Sequence, residues 1–292
     1  MTLSRLLGQP RAPPYLRAWA LGSLVRPLLL YGPEGVGKRS ATFFATQEAF
    51  CGKAPPCACF HCQTLAVMSH PDVTYLPPET KVEDVREALA MAHTPPGYAP
   101  FRLLVIDGAE GLHGASANAL LKRVEEPPDD WRVVLLATCK KRVIPALQGR
   151  CIPVPFLPLS VDTLSTLLAP LEKSTPRVKE IAAQAGGSMA TAIRLWKEAS
   201  QGHKQALALL EAVSKGDVSL TLALAQDAQE KGWVSQLTYA LRDLLMVPSK
   251  VHVGSRSQEQ WRALLVSVSR LSTLPETSRG VGLKAALLDA ML

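Results

Sequence analysis

Five short apolar runs, Leu28–Tyr31, Val73–Leu76, Leu103–Ile106, Val133–Ala137 and Ile152–Phe156, mark the first half of the chain. Runs of strand length without alternation belong to strands buried on both faces, which predicts a parallel sheet covered by helices. Helical periodicity lies between them, over Lys38–Phe50, Val82–Met91 and Ala115–Glu126. The last of these sets Ala117, Leu120, Leu121 and Val124 on one face and stops at Pro127-Pro128. After Pro158 the strand signal ends. Val178–Ala185, Ser188–Ala199, Lys204–Ser214, Leu220–Glu230 and Val234–Met246 read as helices, separated first by Gly186-Gly187 and then by Ser200-Gln201-Gly202. Val247–Gln258 reads as a polar loop before a helix at about Glu259–Leu271. The pattern predicts an α/β domain over 1–156, a small helical domain over 157–202 and a second helical domain over 203–292.

Composition narrows the class. A chain of 292 residues that is 47% hydrophobic and 20% charged is globular and large enough to build real cores. Its apolar runs fall far short of the roughly 20 residues that span a bilayer, and Met1–Leu7 lacks the features of a secretory signal. A cytoplasmic protein without membrane partners is expected. The net charge of +7 favours an anionic partner, yet 17 basic residues face 13 acidic ones in 1–156 and 9 face 8 in 206–292, so no basic tail exists.

The sharpest local signal is Gly32-Pro33-Glu34-Gly35-Val36-Gly37-Lys38, placed after a strand and opening a helix. That is the context of a phosphate-binding loop: backbone N–H groups and a helix N-terminus face the anion, and Lys38 adds a point charge. Arg39, however, stands where the working motif has a Ser or Thr for Mg²⁺, and Ser40 points about 100° away around the helix. The strand ending in Asp107 supplies the aspartate that holds Mg²⁺ in such sites, but Gly108 follows it in place of a water-polarising carboxylate. Glu110, three positions on, has the reach to enter the site, but a loop carboxylate near a strand end is more often solvated. Two vacant catalytic positions point to a retained fold that no longer turns over ATP, and whether ATP or ADP still binds stays open.

Four of the six cysteines, Cys51, Cys57, Cys59 and Cys62, crowd one loop, while Cys139 and Cys151 lie elsewhere. In a cytoplasmic chain such clustering reads as metal ligation, and four thiolates suit a closed, structural tetrahedral Zn²⁺. The C-x5-C-x-C-x2-C spacing is tight, so His61 or a three-ligand set also stays open. His70 and the remaining histidines have no triad-like partners and read as packing or surface residues. Trp131 reads as cover for the strand at Val133.

The run Asn118-Ala119-Leu120-Leu121-Lys122-Arg123-Val124-Glu125-Glu126-Pro127-Pro128 resembles the NALLKxxEEPP signature of the AAA+ clamp-loader subunits of bacterial DNA polymerase III. The order of phosphate loop, cysteines, His70-Pro71-Asp72, Asp107, this run, Ala137-Thr138 and Gly149-Arg150-Cys151 is similar to that family from about 24 to 156. The vacant positions resemble the delta-prime type rather than the ATP-hydrolysing gamma/tau type. The resemblance implies an AAA+ (P-loop NTPase-like) domain with a parallel sheet, followed by a helical lid and an all-α collar. It further implies a degenerate nucleotide site at Gly32, Gly35, Gly37, Lys38, Arg39, Asp107, Gly108, Thr138 and Ala190. Ala190 stands where the Gly-Ser-x-Arg pattern of gamma-type lids has its arginine. Arg150 would be an arginine finger for a neighbour's ATP, although Gly149 replaces the family's serine before it. The family's cysteine pattern differs too, because Pro56 holds the expected second-ligand position. Leu283-Lys284-Ala285-Ala286-Leu287-Leu288 resembles the last collar helix. The implied role is a non-hydrolysing subunit that joins gamma/tau and delta subunits, the sliding clamp and primed DNA. The rivals are an ATP-hydrolysing motor subunit, opposed by Arg39, Gly108 and Ala190, and a separate zinc-containing nucleic-acid-binding module, opposed by the even charge and the lack of aromatic stacking motifs.

Overall fold

The computed structural model describes residues 3, 6–53, 57–91, 94–125, 127, 128, 130–172, 174–215, 217–230, 234, 237, 240, 241, 283, 285 and 287. By compactness the chain divides into Met1–Ala192 and Ile193–Leu292.

In the first unit the elements run α1 (Ala12–Ala20), β1 (Leu28–Tyr31), α2 (Lys38–Phe50), α3 (Phe60–Ala66), β2 (Val73–Leu76) and α4 (Val82–Ala90). There follow β3 (Arg102–Asp107), α5 (Gly114–Glu125), β4 (Trp131–Ala137), α6 (Pro145–Arg150), β5 (Ile152–Pro155), α7 (Val161–Leu168) and α8 (Thr175–Gln184). All strand pairs are parallel, in the order β2-β3-β4-β1-β5, with Leu28 opposite both Val134 and Ile152. The apolar runs are explained by which face each residue meets. Leu28, Leu30, Leu103, Val105, Val134 and Leu136 pack with Trp19 of α1 and with Phe43 and Phe50 of α2. Leu29, Leu104, Ile106, Val133 and Leu135 pack on the other face with Val85 and Leu89 of α4 and with Leu120 and Val124 of α5. Successive side chains point to opposite faces, and both faces here are covered. Trp131 belongs to β4 itself and packs beside Val133.

Four helices escape the sequence pattern. In α1, prolines in the first turn look like loop residues, yet that is where a helix tolerates them, and Leu16 and Trp19 are fully buried. The helices α3, α6 and α7 span seven, six and eight residues, too few to display a period.

In the second unit one element corrects the expectation directly. The join foreseen at Ser200-Gln201-Gly202 is helical, because α9 runs unbroken from Met189 to Lys215. A single helical glycine costs only about 1 kcal/mol, and Ser and Gln are not breakers. Its buried Ala206, Leu209, Leu210 and Val213 pack with Ala225 and Ala228 of α10 (Val218–Glu230). Val234, Leu237, Ala240 and Leu241, all helical, join the same cluster on the i, i+3, i+7 face expected of that segment. Leu283 and Leu287, helical and four apart, do so too. The loop and helix expected over 247–271 lie outside the described residues. Among the described residues, no helix is long and apolar enough to cross a membrane.

Candidate functional site

The phosphate loop follows β1, and α2 opens at Lys38 on Gly37 as N-cap, so the foreseen strand, glycine loop and helix are in place. Lys38 is buried, and its Nζ donates to the carbonyls of Gly32 (2.5 Å) and Pro33 (2.7 Å). Burial lowers its pKa, against the opposing pull of Asp107, Glu110 and Glu34. At the loop apex Gly35 holds φ +73°, and a Cβ there would lie 2.1 Å from Ser188 Oγ and 2.8 Å from Ala190 Cβ. The Met189 amide donates to Gly35 O at 2.9 Å, so the start of α9 sits directly on the loop. Ala190 thus lies against the loop with only a methyl to offer.

Where a Ser or Thr would reach for Mg²⁺, Arg39 does something else. Its guanidinium donates to the Tyr75 hydroxyl (2.9 Å) and lies over the ring, 5.3 Å from the centroid. Tyr75 in turn donates to Asp107 Oδ2 at 2.6 Å. The magnesium-type aspartate is bonded to a phenol on β2 that is itself tied to an arginine. Burial, then the bond to Asp107, pushes the Tyr75 phenol up to about 12. Tyr75 escaped the sequence reading, since only the β2–β3 pairing brings it beside Asp107. Ser40 is exposed.

The two following positions are equally altered. Gly108 has φ +75°, a left-handed conformation, and a Cβ there would meet Pro78 Cα at 3.3 Å. The backbone itself has taken a shape that a glutamate enters only under strain. Glu110 is not solvated as expected: its Oε1 accepts from the Thr138 amide at 2.8 Å and from the Thr138 hydroxyl. Burial raises its pKa, but the Thr138 donors outweigh that and hold the carboxyl below its usual range. Thr138, one of the residues assigned by resemblance to the degenerate nucleotide site, is therefore bonded within the chain. Gln9, also missed, is buried and anchors the N-terminal segment over the loop by donating to Leu157 O (2.7 Å) and Val36 O (3.4 Å).

The four cysteines converge. Cys51 caps the end of α2, Cys59 is the N-cap of α3 and Cys62 lies in its first turn. All four Sγ atoms lie within 4.8 Å of one another, with separations of 3.4 Å (Cys51–Cys57), 3.8 Å (Cys51–Cys59) and 3.9 Å (Cys57–Cys62). Zn–S bonds of about 2.3 Å place tetrahedral sulfurs about 3.8 Å apart, so the set fits a zinc ion. The Cys62 amide pointing at Cys59 Sγ lowers that thiol to about 7, whereas burial raises Cys51 and Cys62. Within the C-x2-C pair, the start of α3 turns the chain between Cys59 and Cys62 and brings both sulfurs to the cluster. His61 is engaged elsewhere. It stacks on buried His70, whose Nδ1 accepts from the Asp72 amide and whose Nε2 lies 2.9 Å from His61 Nδ1.

Arg150 ends α6 on an exposed surface. It pairs with Glu125, the last residue of α5, and donates to Ala146 O at 3.1 Å. Cys151 beside it is buried and its thiol is pushed up to about 12, so it is chemically quiet.

Comparison with known proteins gives this arrangement a family. A family model described as DNA polymerase III, delta subunit, matches residues 16–160. DNA polymerase III subunit delta' of Pseudomonas aeruginosa is 32% identical over 180 residues, covering 57% of this chain and 54% of that protein. Residues 16–160 belong to the clamp-loader delta-prime family. The Bacillus subtilis delta' subunit is 28% identical over 57% of this chain and 52% of that protein. DNA polymerase III subunit tau of Escherichia coli is 27% identical over 85% of this chain and 39% of that protein. The chain thus spans about half the length of the delta-prime relatives it matches, and less of tau. Among solved structures, the Thermotoga maritima RuvB Holliday junction branch migration motor superposes with a TM-score of 0.51 at 17% identity, covering 99% of this chain and 90% of that one. That likeness establishes the AAA+ fold alone.

Proposed function

We propose that this chain is the non-hydrolysing delta-prime subunit of a DNA polymerase III clamp loader, working in the cytoplasm. It joins gamma/tau and delta subunits in the assembly that places the sliding clamp on primed DNA. The observation that carries this reading is the Arg39–Tyr75–Asp107 chain, which puts a guanidinium and a phenol where a hydrolytic site holds Mg²⁺. The left-handed Gly108, Glu110 bonded to Thr138, and Ala190 against Gly35 support it independently.

A subunit without turnover contributes through its neighbours. In this reading the AAA+ domain (1–156) and lid (157–202) present Arg150 to ATP bound by an adjacent gamma/tau subunit, and the collar (203–292) holds the ring. Phosphoryl transfer spreads negative charge over the γ-phosphate oxygens, and a guanidinium delivered in trans stabilises it. The cysteine set holds a structural Zn²⁺ that braces the loop between α2 and α3.

The motor reading draws on one observation, the long alignment with tau. Phosphate release by the isolated chain with excess Mg²⁺-ATP separates the two. The proposal expects background rates, and turnover that disappears in Lys38→Ala would restore the motor.

A further inference from the structure

Beyond the nucleotide site and the cysteine cluster, a cleft among the described residues gathers arginines and a glutamate. It has a volume of about 370 Å³ and lies where the ends of α5 and α6 meet the segment before β1, with Arg26, Glu125 and Arg150 on its rim and Pro127 beside them. Two helix C-termini converge there, and helix ends leave unpaired carbonyls and a partial negative charge. Arg26 covers those of α6, donating to Gly149 O at 3.0 Å and to Arg150 O at 3.3 Å. The backbone that bears Arg150 is therefore fixed, and any movement of Arg150 is a movement of its side chain.

That side chain is engaged by Glu125, at 40% and 47% side-chain exposure respectively. Glu125 itself is poorly served by its own helix, since a carboxylate at a helix C-terminus faces the negative end of the dipole. The pair is thus a guanidinium held by a solvent-exposed carboxylate. A phosphate offers the same planar fork a more highly charged set of oxygens. We propose that Glu125 is the resident counter-ion of Arg150 and that an incoming nucleotide phosphate displaces it, so that the cleft is a phosphate-receiving site whose affinity Glu125 sets. This rests on the proposed role of Arg150 and adds its regulation: the finger is occupied until a phosphate competes it away.

The test is steady-state ATP hydrolysis across ATP concentration by the loader reconstituted with gamma/tau and delta subunits, clamp and primed DNA. Exposed ion pairs shift equilibria by factors of about two to five. Glu125→Gln should lower the ATP concentration at half-maximal rate by a factor in that range, and Glu125→Asp should behave as wild type. In the Arg150→Ala background, Glu125→Gln should change nothing. If Glu125→Gln leaves the curve unchanged, or slows turnover, while Arg150→Ala slows it, the counter-ion role is wrong and the finger stands. An effect of Glu125→Gln that persists without Arg150 makes Glu125 a structural residue and overturns the proposal. Unchanged turnover in Arg150→Ala removes the finger, and the counter-ion role with it.

Discussion

Asp107 shows how one residue changes meaning with its neighbours. At the end of β3 it stands where the sequence motif implies a metal ligand, but its Oδ2 accepts from Tyr75, which Arg39 holds in turn. Tyr75 with its phenol near 12 should stay protonated through the range where an ordinary tyrosine ionises. Ultraviolet titration of wild type against Tyr75→Phe should therefore differ only above the usual tyrosine pKa of about 10. A difference already present at that pH would mean the bond to Asp107 is broken in solution. Glu110 makes a pH-dependent contribution whose sign follows from its lowered folded value. The stabilisation is complete above the unfolded value of 4.5 and is lost as pH falls through the folded value below it. Urea unfolding of Glu110→Gln against wild type should show a gap above pH 5 that closes on acidification. A gap independent of pH would mean the carboxylate is not the stabilising form.

At the scale of elements, the nucleotide loop and the start of α9 are one contact. Gly35→Ala would bring a methyl into Ser188 and Ala190 and would add left-handed strain, which costs of order 1–3 kcal/mol. Thermal unfolding should show that loss, whereas a neutral effect would mean the loop and α9 do not touch. The cysteine loop predicts about one zinc per purified chain, measured after dialysis. Replacing Cys59 or Cys62 should release the metal and raise proteolysis at that loop, and freely reactive thiols without metal would make the cluster a remnant.

All five strands and the helices α2, α4, α5 and α10 were legible because buried parallel strands and long amphipathic helices carry their own periodicity. At Arg39, Gly108 and Ala190 the sequence departs from a motif, and that departure is readable without the structure. What took the place of the motif's contacts is not. Tyr75 comes from another strand, Glu110 is redirected by a bond to β4's loop, and Glu125 meets Arg150 across 25 positions of sequence. Side chains that meet only through tertiary pairing leave no periodic trace. The helix break at Ser200-Gln201-Gly202 failed for the opposite reason, since a local signal worth about 1 kcal/mol yields to packing along α9.

For the whole molecule, the central claim is a division of labour, with the chain's own nucleotide site silent and its Arg150 active on a neighbour. The most direct measurement compares Lys38→Ala and Arg150→Ala in the reconstituted loader, reading clamp- and DNA-stimulated ATP hydrolysis with assembly checked for each. Fingers supplied in trans contribute factors of about 10³ to 10⁵ at the site they serve. The account predicts that Lys38→Ala leaves hydrolysis unchanged, while Arg150→Ala removes the contribution of one motor site without loss of assembly. Loss of turnover in Lys38→Ala together with unchanged turnover in Arg150→Ala would contradict it.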